Sequence, residues 1–206
     1  IITGEREVSE FNKIHLKGSG NVLITLGEKQ TLKIKTDDNI MPLIETVVSG
    51  DKMIISHGKH HLRPTVFEVF ITLKDLAGVA ISGSGDVSGK SRFVADAFYA
   101  EISGSGNIDL EVETGMLDTK ISGSGSIHLV GKAEDYTVSV SGSGEINAFE
   151  VQAKNVLVKI SGSGNCRVHA TESLDAKISG SGDVYYKGRP QINTKISGSG
   201  SLISRD

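Results

Sequence analysis

The residues that could carry chemistry in this chain are lysines, serines and histidines placed at a fixed interval. Lys159, Lys177 and Lys195 follow one another 18 residues apart, each two residues before a Ser-Gly-Ser-Gly tetrapeptide. If the repeat sets its copies side by side, three ammonium groups stack roughly 5 Å apart at the backbone. Like charges directly across neighbouring strands are unfavourable. Either the lysine stems splay into water and lean on Asp175 or Asn193, or the column is a basic strip for a polyanion such as an acidic glycan or a lipid head group. Aromatic residues make up only 5% of the chain, which argues against neutral-sugar stacking and leaves charge as the handle.

The other candidates are weaker. His57, His60 and His61 lie together around a basic polar stretch. A metal site would want a further ligand and a fixed geometry, so they read as a solvated loop. His128 and His169 fall at outward positions without a matching partner. The serines are many, but a serine nucleophile needs a base held by a third group. Serine recurs at every repeat without a recurring histidine, so it is read as structural. No catalytic set, cofactor motif or metal set emerges.

The elements that must position these residues come from the tetrapeptide itself. It begins at Ser82, Ser103, Ser122, Ser141, Ser161, Ser179 and Ser197, at steps of 18 to 21 residues. A constant period near twenty marks stacked supersecondary units, one per coil. The residue before the tetrapeptide reads Ile81, Ile102, Ile121, Val140, Ile160, Ile178 and Ile196, and the third and fifth before it are also mostly apolar. Five after its first serine stand Val87, Ile108, Ile127, Ile146, Cys166, Val184 and Leu202. Alternation of this kind gives strands with one buried face. The Gly-Ser-Gly between them makes a corner, where glycine reaches positive φ and leaves room at the bend. The chain is therefore expected to be all-β. It is expected to form a right-handed parallel β-helix (β-solenoid) with about seven regular coils of 18–21 residues, handedness following the rule for parallel crossovers. Residues 1–206 read as a single domain, with degenerate coils or a cap over 1–75 and the regular solenoid over 76–206. The spacing excludes a leucine-rich repeat and a nine-residue calcium roll. Tight coils without long insertions leave no carved cleft for a polysaccharide lyase or hydrolase. The interior filled by Ile, Val and Leu leaves no lipid cavity.

Composition agrees. The 206 residues carry a net charge of −3 and 25 glycines, which offers no nucleic-acid footprint. No apolar run reaches transmembrane length. The start at Ile1, without Met or a leader, is what the mature part of an exported protein would show. Cys166 stands in an aliphatic column and is expected to be buried and inert, with Arg167 pointing the other way. Leu202 and Ile203 follow the last tetrapeptide with little behind them, so either self-association through the C-terminal coil or a missing neighbouring segment is expected.

Before the regular repeats, Phe11 to Val22 reads Phe-x-x-Ile-x-Leu-x-Gly-Ser-Gly-Asn-Val and looks like an early degenerate coil. An Asp-Asp-Asn-Ile segment (Asp37 to Ile40) leads into Pro42 and a short helix, Val47 to Ile55 reads as strand, turn, strand, and Val66 to Leu73 delivers the chain to the first full repeat. This order, followed by the serial Ile-Ser-Gly-Ser-Gly units, resembles the "putative auto-transporter adhesin, head GIN domain" family of Bacteroidetes envelope proteins. The resemblance covers essentially the whole chain. It implies a β-helical, exported protein in the periplasm, at the outer membrane or outside the cell, and brings no catalytic residues. The sequence thus points to a non-enzymatic, adhesin-like surface that binds an acidic glycan, a lipid head group or another protein. A polysaccharide-active enzyme and a lipid-binding envelope protein are the alternatives.

Overall fold

Period-2 alternation persists through nearly every segment of the chain, and the computed structural model, which describes residues 1–57 and 63–205, turns it into a continuous stack of strands. In chain order these are β1 (Ile2–Glu5), β2 (Lys13–Gly18), β3 (Asn21–Leu26), β4 (Thr31–Thr36), β5 (Glu45–Ser49), β6 (Lys52–Ser56), β7 (Phe67–Leu73) and β8 (Gly78–Gly83). Then come β9 (Asp86–Gly104), β10 (Asn107–Gly123), β11 (Ser126–Gly142), β12 (Glu145–Gly162) and β13 (Asn165–Gly180), and finally β14 (Val184–Lys187), β15 (Gln191–Gly198) and β16 (Leu202–Ser204). A 3₁₀ turn at Met41–Leu43, with Pro42 in its first turn, is the helix expected after Asp37-Asp38-Asn39; no side chain caps it.

From β9 onward each strand pairs in parallel with its copy one coil away, forming a β-solenoid of about seven turns. Register follows the tetrapeptides residue for residue: Ile121 faces Val140, Val140 faces Ile160, and Ile160 faces Ile178. The strands of the regular coils are long. β10 runs unbroken from Asn107 to Gly123, because the ladder bonds lie along the stacking axis and survive a bend in the chain direction. Pairing lapses at the second Ser-Gly of each tetrapeptide, where amides still bond to the preceding coil, as Ser124 N–H does to the Gly104 carbonyl at 2.9 Å, and the register shifts where coils differ in length, as between Ala148 and Gln152.

The early coil is present, but it does not begin the stack. β2 lies between β6 and β8, and β3 between β7 and β9, all in parallel. The chain leaves the first coil, builds a farther one with β6 and β7, and returns to continue on the opposite side. β7 therefore delivers the chain across the first coil rather than to its neighbour. Antiparallel strands then extend this end: β4 on β7, β1 on β4, and β5 on β6 through a hairpin at Gly50.

The core is one thin, mostly aliphatic column filled by Ile, Val and Leu, with aromatic residues such as Phe93 and Phe98 among them. One polar pair interrupts it: the Thr119 hydroxyl donates to the Tyr136 oxygen at 3.1 Å, and both residues are buried. Cys166 is fully buried between Ile146 and Val184, and burial pushes its thiol well above the usual range. Arg167 points outward, pairing with Glu145 and lying over the Tyr185 ring. A thiol held protonated in an apolar column is a poor nucleophile. A disulfide reagent should therefore leave the native protein unmodified and label one thiol once denaturant is added; immediate labelling of the native protein would contradict this.

Candidate functional site

The face that precedes each tetrapeptide carries its outward side chains in ordered columns. One column holds Ala80, Glu101, Lys120, Ser139, Lys159, Lys177 and Lys195, each in register with the next. The neighbouring column, two residues on, is serine at every coil. Backbone of the buried Ile121, Val140, Ile160 and Ile178 lies between them. Lysine stems form one wall, serines the other, and the trough between them encloses about 400 Å³. It exists because the glycine corner turns the chain away just after the serines while the long lysine stems stand up before them.

The structure brings Lys159, Lys177 and Lys195 together as the sequence suggested, and adds Lys120 beyond the gap at Ser139. All three of the expected lysines are exposed. No lysine of the column makes an ion pair among the described residues. Asp175, the anticipated partner, accepts instead from the Asn193 amide at 2.9 Å. Asp118 lies close enough for Lys120 and Lys159 to favour its carboxylate, and Glu101 stands in register beside Lys120, while splaying and screening relieve the repulsion along the rest of the row.

Toward the N-terminal end the trough changes character. A smaller hollow of about 300 Å³ shares Lys120 and holds His15, Ser82 and Glu101. His15 Nε2 lies 2.8 Å from Ser82 Oγ. Burial, then Lys17 and Lys52, lower the pKa of the ring, favouring the neutral form. This pair was missed from sequence, although His15 stands two residues before Lys17 just as the lysines stand before their serines. No carboxylate bonds to the His15 ring among the described residues, so a third group to hold it as a base is missing.

Carboxylates also line hollows elsewhere. At the cap, Glu10, Glu28, Asp51 and Asp75 surround about 470 Å³. Lys13 bonds Asp51 at 2.6 Å and holds its carboxyl below the usual range, while Asn12 bonds Asp75 at 3.2 Å. On the flank, Asp118 and Asp135 border about 520 Å³ beside Tyr99 and Met116. Burial, then Glu101, push the Asp118 carboxyl upward. Asp135 is held by Asn155 at 2.9 Å.

The histidines resolve differently from expectation. His128 does have a partner: its Nδ1 lies 2.9 Å from Asp109, directly one coil before it. His57 sits against Gly18, where a Cβ would collide with its ring. His60 and His61 lie outside the described residues. No group of three potential metal ligands occurs among the described residues. No helix of the described residues is long and apolar enough to cross a membrane, which leaves membrane-crossing strands unaddressed.

Comparison with known proteins gives a consistent result. The family described as "Putative auto-transporter adhesin, head GIN domain" matches residues 10–190. Among solved structures, a "putative adhesin" from Bacteroides fragilis is 31% identical over 99% of this chain and 96% of its own, with a TM-score of 0.94. A "Putative lipid binding protein" from Parabacteroides distasonis is 28% identical over 100% of this chain and 96% of its own, with a TM-score of 0.83. A "putative adhesin" from Parabacteroides merdae is 26% identical over 100% and 96%, with a TM-score of 0.78. No curated protein matches the sequence.

Proposed function

The chain belongs to the "Putative auto-transporter adhesin, head GIN domain" family, and from that premise we propose a non-enzymatic binding module of an exported envelope or surface protein, adhesin-like, whose contact face is the lysine–serine trough. The observation that carries this reading is the row of exposed ammonium groups: four lysines in one register column without an ion pair among the described residues. A protein gains nothing in stability from such a row. A polyanion laid against it recovers the repulsion as attraction. The hydrocarbon of the lysine stems supports a second reading, an anionic lipid, which the name of the Parabacteroides distasonis relative also suggests.

The test compares the parent with a Lys159→Gln, Lys177→Gln, Lys195→Gln variant on an immobilised polyanion and on anionic phospholipid vesicles. Retention of the parent should be strong at low salt and weaker near about 0.15 M, where charges are screened beyond roughly 8 Å. The variant should elute earlier on whichever support binds. Equal retention of both proteins at low salt would remove the trough as the contact face. The polymer should leave at its original length. Shortened product, lost again in an Asp118→Asn variant, would move the assignment to a polysaccharide-active enzyme at the flank hollow.

A further inference from the structure

We infer that the partner of this face is a second copy of the same chain, packed face to face about a twofold axis that runs along the stacking direction, between the lysine column and the column two residues before it; this rests on the trough as a contact face and names what it contacts. The second column reads Tyr99, Asp118, Thr137, Leu157, Asp175 and Asn193, in register from coil to coil. Acids therefore stand beside the lysines. Within one chain Asp118 and Lys120, like Asp175 and Lys177, are two residues apart on one strand and point the same way, about 6.8 Å apart at the backbone. No ion pair closes between them among the described residues. The twofold axis exchanges the two columns and sets each coil against its own copy. Lys120 then faces the partner's Asp118, and Lys177 faces the partner's Asp175. Lys159 and Lys195 lie one coil to either side of that second acid. Glu101 faces the partner's Tyr99. No like charges are opposed in this register, whereas an axis over the lysine column itself would set lysine against lysine, which is unfavourable.

Size and polarity fit the same register. Packed sheets lie about 10 Å apart, so a long side chain is best met by a shorter one. The lysines meet Asp, Leu and Asn. The serine column meets the partner's Met116, Asp135, Asn155, Ser173 and Gln191, which are aligned with one another in the same way. The exposed lining of the trough is almost wholly apolar, and a bare anion leaves that surface unused. A second copy brings carboxylates and hydrocarbon together, since Leu157 is half-buried and Met116 is 59% exposed. Across the axis the partner's Leu157 lies against the Lys159 stem, part of one wall of the trough. Four columns over six coils cover about 20 Å by about 29 Å. Such a face projects roughly 600 Å² per copy, so two copies together reach the about 1,200 Å² at which specific interfaces begin. The same patch is used on both copies, so the assembly closes at two.

The experiment is sedimentation velocity of the full chain across the micromolar range of concentrations. The parent is compared with a Lys120→Asp, Lys177→Asp variant and with an Asp118→Lys, Asp175→Lys variant. The parent should dimerise with a dissociation constant in the micromolar range. Each variant alone opposes like charges and should pair at least about tenfold more weakly. Mixed in equal amounts, the two variants oppose acid to base again and should pair at least as tightly as the parent. Asp175 also accepts from Asn193, so the single exchanges Lys120→Asp and Asp118→Lys, both at exposed side chains, repeat the comparison without touching that bond. Thermal melting by circular dichroism verifies that each variant is folded. A parent that stays monomeric, or a mixture of folded variants that fails to pair, would overturn the second-copy assignment. So would variants that dimerise like the parent, which is what pairing through the C-terminal coil would give. The immobilised polyanion separates this from the broader reading. A monomeric parent that is retained there through its lysines loses the second copy and keeps the trough as a contact face. A monomeric parent retained neither there nor on anionic vesicles loses both.

Discussion

A Gly123→Ala variant is expected to lose upwards of about 2 kcal/mol of stability, far more than a methyl group suggests. Gly123 is the first glycine of its tetrapeptide and has φ +131°. A side chain in that region costs of order 1–3 kcal/mol where the surroundings enforce it. The surroundings here also forbid relief. A Cβ at Gly123 would overlap the Gly104 carbonyl of the preceding coil, and that carbonyl accepts from the Ser124 and Gly125 amides at 2.9 and 3.1 Å. Moving it away would strain both bonds, each worth about 1 kcal/mol. For a chain of this size, 1 kcal/mol shifts the melting temperature by about 2–4 °C, so a fall of roughly 5 °C or more is expected by circular dichroism. Gly50→Ala is the control. Gly50 also has positive φ, +64°, but nothing lies within 4 Å of a Cβ there. It should cost only the conformational term, about 1–2 kcal/mol. A Gly123→Ala protein that melts with the parent, or above Gly50→Ala, would show that stacking contact does not dictate the glycine.

That contrast also marks what the sequence could reveal. The repeated Gly at Ser-Gly-Ser-Gly announces a corner because it recurs, and the apolar residues before it fix which face is inward. Their period near twenty can be satisfied only by stacking, so parallel register followed directly. Gly131 was not seen. It stands in register with the buried Val112 and Val151, yet has φ +133° and no room for a Cβ against the Val112 carbonyl. A single departure within a column leaves no periodic trace. The place of the first coil was hidden for a related reason. Alternation in Ile14 and Leu16 says which side is buried, and Met53 and Ile55 say the same of their strand. Neither says which strand is the neighbour, and β2 proves to separate β6 from β8.

The site was legible to a similar depth. Three lysines at equal spacing were visible, as was their conflict. Their lack of carboxylate partners was not, because Asp175 could as well have turned to Lys177 as to Asn193, and only side-chain packing decides. The trough depends on where the corner bends relative to the long stems, a property of three dimensions. The pairing of His128 with Asp109 was within reach, since both stand at the same offset from their tetrapeptides.

The second large effect is expected inside one column, at two adjacent coils. Leu174 and Ile192 are aligned partners on β13 and β15. Leu174 is 1% exposed, whereas Ile192 is 45% exposed, with Ile196 on the same strand at 41%. Leu174→Ala removes a packed side chain and leaves a cavity between two coils, a loss of about 2–5 kcal/mol. Ile192→Ala removes atoms that are already half in water and should cost about 1 kcal/mol or less, scaled from the 1.5–3 kcal/mol of a fully buried aliphatic side chain. In a stacked array each coil is held by its neighbours, so a coil with one neighbour opens before the rest. Ile192→Ala should accordingly raise amide exchange in β15 and β16 while leaving the urea midpoint nearly unchanged, and Leu174→Ala should lower the midpoint itself. A loss at Ile192 as large as that at Leu174 would mean that this end is covered in solution. Repeating the titration across protein concentrations then identifies the cover. A midpoint that rises with concentration, and ceases to do so in Ile203→Lys, points to pairing of two copies through the C-terminal coil, because association stabilises the folded state by mass action.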